Sequence, residues 1–174
     1  MNPNTHRRLQ EIREATDKEY GKLVQKLLAI AFLESGVDSL TERSIQGIDL
    51  EINLAGTLYA IEVKTSEQDS ISLGKKDLEG LRRQVEEGAE TYIAVLLGSG
   101  LLDEWLMARY HEGELLPSRK YSQFMLRPYR NRELEDRIRL AFDAAVADHA
   151  NTAITERQKG LDRVLAGYAN RRLA

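Results

Sequence analysis

No cysteine occurs among the 174 residues, which excludes disulfides and thiolate-held metals and fits a reducing interior. Proline is scarce, at three residues, and no internal repeat or low-complexity segment is visible. Long apolar runs are missing, so nothing is expected to span a membrane. The opening residues Met1 to Arg8 lack the apolar stretch of a secretory signal, and the expected setting is the cytoplasm. An excess of basic residues is also missing, since the net charge is −3. That does not exclude a nucleic-acid partner, because a basic face can coexist with an acidic back and an acidic active site.

What is present is an ordinary globular composition, 42% apolar and 30% charged, long enough for one domain with a core and a small helical annex. Thr5 to Ser35 has helical periodicity through Leu9, Ile12, Leu23, Leu27, Ile30 and Leu33, with Asp17 and Gly21 as a candidate break and Gly36 as a stop. Thr41 to Ile45 is a candidate short strand. From Gly47 to Leu54 the pattern alternates, with Ile48, Leu50, Ile52 and Leu54 on one side and Asp49, Glu51 and Asn53 on the other. Thr57 to Thr65 is its return strand. Gly74 to Gly88 predicts a helix with Leu78, Leu81 and Val85 inward, and Thr91 to Leu97 a strand buried on both faces. Leu101 to His111 predicts a further helix carrying Trp105, and Tyr121 to Arg127 a late strand. From Arg132 the chain is helical, with one stripe through Leu134, Ile138, Ala141, Phe142 and Ala145 and another through Ile154, Leu161, Val164, Leu165 and Tyr168. Asp148 to Thr152 is the expected turn between them. The order of elements predicts a mixed α/β domain, and the division expected is a core over 1–130 and a helical extension over 131–174.

The chemistry concentrates in the hairpin about Ala55-Gly56. If those two residues form the turn, Leu54 faces Thr57, Glu51 faces Ala60, and Asp49 faces Glu62. A three-residue loop would shift the register and separate that pair. With the register kept, Asp49, Glu62 and Lys64 share one face. Carboxylates so opposed have Cβ atoms roughly 4.5–5.5 Å apart and repel. A divalent cation between them, Mg²⁺ or Mn²⁺, turns repulsion into binding. Lys64 can then orient or deprotonate a water held there, or offset charge building on a phosphate. The competing reading is a wetted hairpin surface. Against it stands the apolar company in Ala60-Ile61-Glu62-Val63-Lys64, which suits a strand near the sheet centre, where charges are rarely left unpaired.

These residues resemble a known signature. Gly47-Ile48-Asp49-Leu50-Glu51-Ile52 followed by Tyr59-Ala60-Ile61-Glu62-Val63-Lys64-Thr65-Ser66 is similar to the PD-(D/E)xK motif of restriction-endonuclease-like nucleases, and within them to archaeal Holliday-junction resolvases. The resemblance covers roughly Glu19 to Leu97, with Ile48 where the signature has proline and with no counterpart assigned after about Arg130. It implies a mixed central sheet flanked by helices and a Mg²⁺- or Mn²⁺-dependent DNA endonuclease, whereas the C-terminal helical extension, expected to serve dimerisation or partner docking, is read from its two apolar stripes alone. It implies a catalytic set of Asp49, Glu62 and Lys64, joined by Glu19 as an additional acid thirty residues before Asp49, and a metal held by Asp49, Glu62 and the Val63 carbonyl.

Lys75, Lys76, Arg82, Arg83 and Gln84, on the helix after the motif strand, are candidate DNA contacts, or a solvated face balanced by Asp77, Glu79, Glu86 and Glu87. Arg119, Lys120, Arg127, Arg130 and Arg132, interleaved with Tyr121, Phe124 and Tyr129, could grip a DNA backbone or form the edge of an ordinary strand. His6, His111 and His149 share no spacing and are read as non-catalytic. Trp105 is read as core or interface. The expected function is a metal-dependent endonuclease acting on DNA, as a homodimer able to cut both strands, with Phe142, Leu161, Leu165 and Tyr168 of the C-terminal stripes expected at the dimer contact. A restriction or phage-defence nuclease, or a nuclease-fold module that binds DNA without cutting it, are the alternatives.

Overall fold

The computed structural model describes residues 1–43, 47–98 and 104–173. Two compact units divide the chain, one of residues 1–36 with 137–174 and one of residues 37–136.

The second unit is built on a five-stranded mixed sheet with strand order β1-β2-β3-β5-β6. Its strands are β1 (Ser39–Glu42), β2 (Leu50–Leu54), β3 (Thr57–Ser66), β5 (Glu90–Leu97) and β6 (Leu106–Arg109). A short pair, β4 (Ser70–Ser72) and β7 (Lys120–Ser122), lies outside it as a two-stranded sheet. The β2–β3 hairpin has the expected register, with Leu54 opposite Thr57, Glu51 opposite Ala60 and Leu50 opposite Ile61. Ala55 and Gly56 both take positive φ, 51° and 79°, the backbone of a two-residue turn whose twist matches the flanking strands. Ala-Gly is an unusual pair for this turn, and Asp38 supports it by accepting the Ala55 N–H at 2.7 Å.

β3 is central and pairs parallel with β5. A parallel neighbour requires a crossover, which helix α3 (Lys75–Glu86) supplies. One sheet face carries Ala60, Ile93, Val95 and Ala108, packed with Leu81 and Leu78 of α3, Ile71, Leu73 and Tyr121. β5 is buried over Thr91–Leu97, as its unbroken apolar run requires. Val85, expected inward, is 42% exposed.

Several expectations are corrected here. The segment expected as a helix over Leu101 to His111 contains strand β6, which pairs antiparallel with β5 through Tyr92 opposite Arg109 and Val95 opposite Leu106; residues 101–103 lie outside the described residues. Four residues are too few to show a period, and pairing to a long buried strand overrides local preference. Trp105, buried, stands just before this strand and not on a helix. Tyr121 to Arg127 is not one strand. β7 ends at Ser122, whose side chain caps α4 (Gln123–Leu126) by accepting from Met125 N, and a 3-10 turn Arg127–Tyr129 follows. The strand read from Gly47 starts at Leu50, and that read from Thr41 to Ile45 is β1, with Ile45 outside the described residues. The edge of β6 is covered by Arg130 to Glu135. Asn131 N donates to Met107 O at 2.8 Å and Met107 N to Glu135 Oε1 at 3.1 Å, a way of closing an edge against foreign strands.

The first unit is helical: α1 (Pro3–Thr16), a 3-10 turn Asp17–Glu19, α2 (Tyr20–Glu34), α5 (Arg132–Thr155) from Arg137 on, and α6 (Arg157–Leu173). The break predicted near Asp17 is present, with Asp17 at φ 42°, whereas Gly21 continues into α2. Asn2 caps α1 by accepting from Thr5 N at 2.8 Å, with Pro3 at the first helical position, where its missing N–H costs nothing. The turn expected at Asp148 to Thr152 is instead helix, and the chain reverses at Arg157, φ 57°. Residues 137–174 pack with α1 and α2: Lys26 pairs with Asp162 at 2.5 Å, Thr5 Oγ1 donates to Asp143 at 2.6 Å, and Arg157 donates to Ala15 O at 2.7 Å. Of Phe142, Leu161, Leu165 and Tyr168, expected at a dimer contact, Phe142 and Leu161 are buried within the chain at 1% and 0% exposure, and Leu165 and Tyr168 are half-buried. No described helix is long and apolar enough to cross a membrane.

Candidate active site

The site lies at the end of β3 where β2 stops pairing. The β2–β3 register ends at Leu50 opposite Ile61, and one residue earlier Asp49 N still donates to Ile61 O at 3.0 Å. Asp49 then turns its Oδ2 to accept the Val63 N–H at 2.9 Å. Within a strand a residue's N–H and C=O point to the same side, so the Val63 carbonyl also faces the Asp49 side, beyond the last β2 pair. Asp49 is thereby held beside β3 at Val63, close enough to Glu62 for its charge to act on that carboxyl.

Glu62 is paired in register with Ile93 and Lys64 with Val95, so both lie on the sheet face that α3 covers. Burial follows: Glu62 is 5% exposed, which sets aside the wetted-hairpin reading. Burial first, and then the neighbouring Asp49 carboxylate, push the Glu62 carboxyl up from its ordinary value of 4.5 to about 7, with Lys64 opposing the rise. Lys64 Nζ lies 2.8 Å from Glu62 Oε1 and 2.8 Å from Asp77 Oδ2. Burial alone would lower the Lys64 ammonium pKa, but the two carboxylates outweigh it and the net shift is upward, which keeps this lysine charged.

Asp77 is the residue that sequence reasoning missed, having been set among the charges of a solvated face. It occupies the third position of α3, where its Oδ2 also accepts Gly74 N at 2.8 Å. It therefore caps its own helix and holds Lys64 with the same oxygen. The available signal was the spacing Gly74-Lys75-Lys76-Asp77, an acid three residues after a non-helical position at a helix start. Gly47 completes the arrangement. At φ 80°, it lies so close to the first turn of α3 that a Cβ there would meet Lys76 O at 2.5 Å. The loop into Asp49 and the start of α3 fit together only because residue 47 has no side chain.

The other expected site residues lie on α3 and in the helical unit. Lys75 and Lys76 are exposed in the first turn of α3, beside Asp77. Arg82 and Arg83 are exposed further along, Arg82 near Glu86 and Gln84 bonded to Glu87. A rise of about 1.5 Å per residue places them roughly 7–10 Å along the axis from Asp77. Glu19 stands in the helical unit at the end of the 3-10 turn, where its Oε2 accepts from Gln158 at 3.2 Å. Arg130 is committed to Glu135 through Nε at 3.0 Å and through Nη2, so it is a structural member of the late basic cluster.

Among the described residues no group of three or more His, Cys, Asp or Glu is placed to hold a metal. Two carboxylates and a carbonyl nevertheless suit a hard cation that keeps several waters. A buried carboxylate lifted to about 7 beside a second carboxylate is a donor set whose repulsion such a cation relieves, and the residues fit the group on that ground.

No protein-family model matches the chain, and no curated protein does. Solved structures do. The chain is similar to the 1.6 Å structure of Archaeoglobus fulgidus Hjc, a Holliday junction resolvase from an archaeal hyperthermophile, with a TM-score of 0.51 and 19% identity over 67% of this chain and 95% of that one. The likeness establishes the fold: the mixed sheet with its helices is that of the Hjc nuclease.

Proposed function

We propose that this protein is a Mg²⁺- or Mn²⁺-dependent endonuclease of the PD-(D/E)xK type that hydrolyses phosphodiester bonds in DNA, with a preference for branched DNA of the Holliday-junction class. The observation that carries this is Glu62, a carboxylate buried beside Asp49, with Lys64 two residues on and clamped between Glu62 and Asp77. The Hjc-like fold supports it, and a purely structural hairpin has no reason to bury Glu62 on the packed face of a central strand.

Asp49, Glu62 and the Val63 carbonyl would hold the cation, which when bound supplies a Lewis acid to a phosphoryl oxygen. Lys64 donates to a non-bridging oxygen and offsets the charge that builds as water oxygen adds to phosphorus and the bond to the sugar oxygen breaks. Asp77 fixes the direction of that ammonium. Glu19 is retained as an additional catalytic acid on the resemblance. Lys75 and Lys76 are assigned to phosphate contacts near the reacting group, and Arg82, Arg83 and Gln84 to contacts further along the backbone. A cytoplasmic homodimer belongs to the same proposal, because two centres cut both strands of a twofold substrate. Its contact is not formed by Phe142 and Leu161, which are buried in the chain.

The test is incubation with supercoiled, linear and four-way-junction DNA in Mg²⁺, Mn²⁺, Ca²⁺ or chelator. Cleavage with Mg²⁺ or Mn²⁺, and binding with little turnover in Ca²⁺, is expected. Full activity in excess chelator removes the proposed chemistry.

A further inference from the structure

The late basic cluster lies beside the candidate site through the small sheet. β4 starts six residues after Lys64 and leads through Leu73 and Gly74 into α3, which carries Asp77. β7 pairs with β4, Ile71 opposite Tyr121, and Ser118 N donates to Leu73 O at 3.0 Å. The segment from Leu115 to Arg132 is thereby fixed against the strand-to-helix connection that joins Lys64 to Asp77. It contains five cations and no acid, in a chain whose net charge is −3.

Three features make this segment unlike a wetted loop. Leu115, Tyr121 and Leu126 are buried, with Tyr121 OH accepting Leu116 N at 2.6 Å, so the backbone is anchored. Phe124, between those anchors, is 81% exposed, and Leu116 and Met125 add 50% and 38%. Arg119, Lys120 and Arg127 are exposed around them, with the Arg119 guanidinium 5.7 Å from the Tyr121 ring centroid. Glu114 and Glu133 flank the segment in sequence, and Glu114 lies close enough to the Tyr129 hydroxyl to raise its pKa. A lone exposed aromatic is commonplace, but an apolar group rimmed by cations marks an interaction surface.

We infer that the 115–132 segment is a DNA-binding element in which Arg119, Lys120 and Arg127 hold phosphates while Phe124 stacks on a base freed from its pair. This rests on the nuclease reading for its partner and goes beyond it by naming how unpaired or branched DNA is told from plain duplex. The charge complements a polyanion, and an exposed ring on an anchored turn is what sequence-tolerant base stacking requires. A protein partner, or a second copy of this chain, would bury the same ring but would not need the acid-free stretch.

The test uses the full chain in Ca²⁺, with labelled duplex, single-stranded and four-way-junction DNA followed by fluorescence anisotropy, and circular dichroism to show that the variants fold. Phe124→Ala is expected to weaken junction and single-strand binding about tenfold or more while duplex binding changes little. Arg119→Ala with Lys120→Ala should weaken all three and reduce the salt slope by about 2. Wild-type affinity for every probe in both variants overturns the inference. So does an unchanged DNA affinity with an altered sedimentation mass in Phe124→Ala, which marks the ring as a contact between copies. If the wild type binds DNA and the variants weaken as described, yet Mg²⁺ yields no cleavage, the nuclease reading fails and the surface stands. Cleavage by the wild type with unaltered binding by the variants has the opposite meaning.

Discussion

Glu62 makes folding depend on pH in a definite direction, and the proposed metal binding would depend on it too. In the unfolded chain its carboxyl titrates at its ordinary value of 4.5, and in the folded chain at about 7. Between those values the folded state binds more protons than the unfolded one, so metal-free stability falls as pH rises from about 4.5 to 7 and levels off above. A shift of this size corresponds to roughly 3 kcal/mol at 1.36 kcal/mol per unit. Solvent screening does not erode it, because the side chain is 6% exposed. Glu62→Gln keeps the shape and an acceptor for Lys64 but removes the titration. In chelator at pH 8 the variant should therefore melt above the wild type, by roughly 6–12 °C at the 2–4 °C per kcal/mol expected for a chain of this length. At pH 4.5 the two should nearly coincide. Mg²⁺ should reverse the order at pH 8, raising the wild-type melting temperature and leaving Glu62→Gln almost unmoved. Scanning calorimetry across pH, with and without Mg²⁺, reads all four conditions. A Glu62→Gln variant less stable than wild type at pH 8 without metal would refute the reasoning, because it would mean that the buried charge is fully compensated by Lys64.

Gly47→Ala should destabilise the chain by about 1–3 kcal/mol in urea titration, through positive φ and the collision with Lys76 O, and should impair cleavage because the same loop places Asp49. Asp77→Asn retains an acceptor for Gly74 N but removes a carboxylate from Lys64; the alkaline limb of the rate–pH profile should move to lower pH with KM nearly constant, and an unmoved limb would assign Asp77 to capping alone. Phe142→Ala should cost about 3–5 kcal/mol of stability as a buried truncation, with no separate loss of a dimer at temperatures where the variant is folded, as read by sedimentation.

Hairpin register was legible in the sequence because a period of two leaves only one way for Leu50 and Ile52 to be buried together, whereas Ile48, read with them, precedes the strand and packs on the other face with Ala60 and Ile93. The same rule placed Glu62 beside Lys64. Asp77 was not legible, because nothing local distinguishes an acid that caps a helix and reaches another strand from one that faces water. β6 was misread because Leu106 to Arg109 is a strand only by virtue of pairing with β5. β4 went unread and β7 was drawn too long for a similar reason, since three-residue strands exist through their partner. The reversal at Arg157 rests on a positive φ that its sequence does not advertise, whereas Asp148 to Thr152 had turn-like composition and formed helix. The C-terminal stripes were correctly read as faces that must be covered. What covers Phe142 and Leu161 is packing within the chain, which no stripe can specify.

In the proposed mechanism Lys64 acts on the transition state at a metal site built from Asp49 and Glu62. The most direct test is the single-turnover cleavage rate of pre-bound junction DNA on adding Mg²⁺, for wild type and Lys64→Ala, alongside DNA affinity in Ca²⁺. For Lys64→Ala the rate is expected to fall about 10²–10³-fold with affinity changed only a few-fold. Collapsed affinity with an unchanged rate on bound DNA would contradict this mechanism and make Lys64 a phosphate anchor.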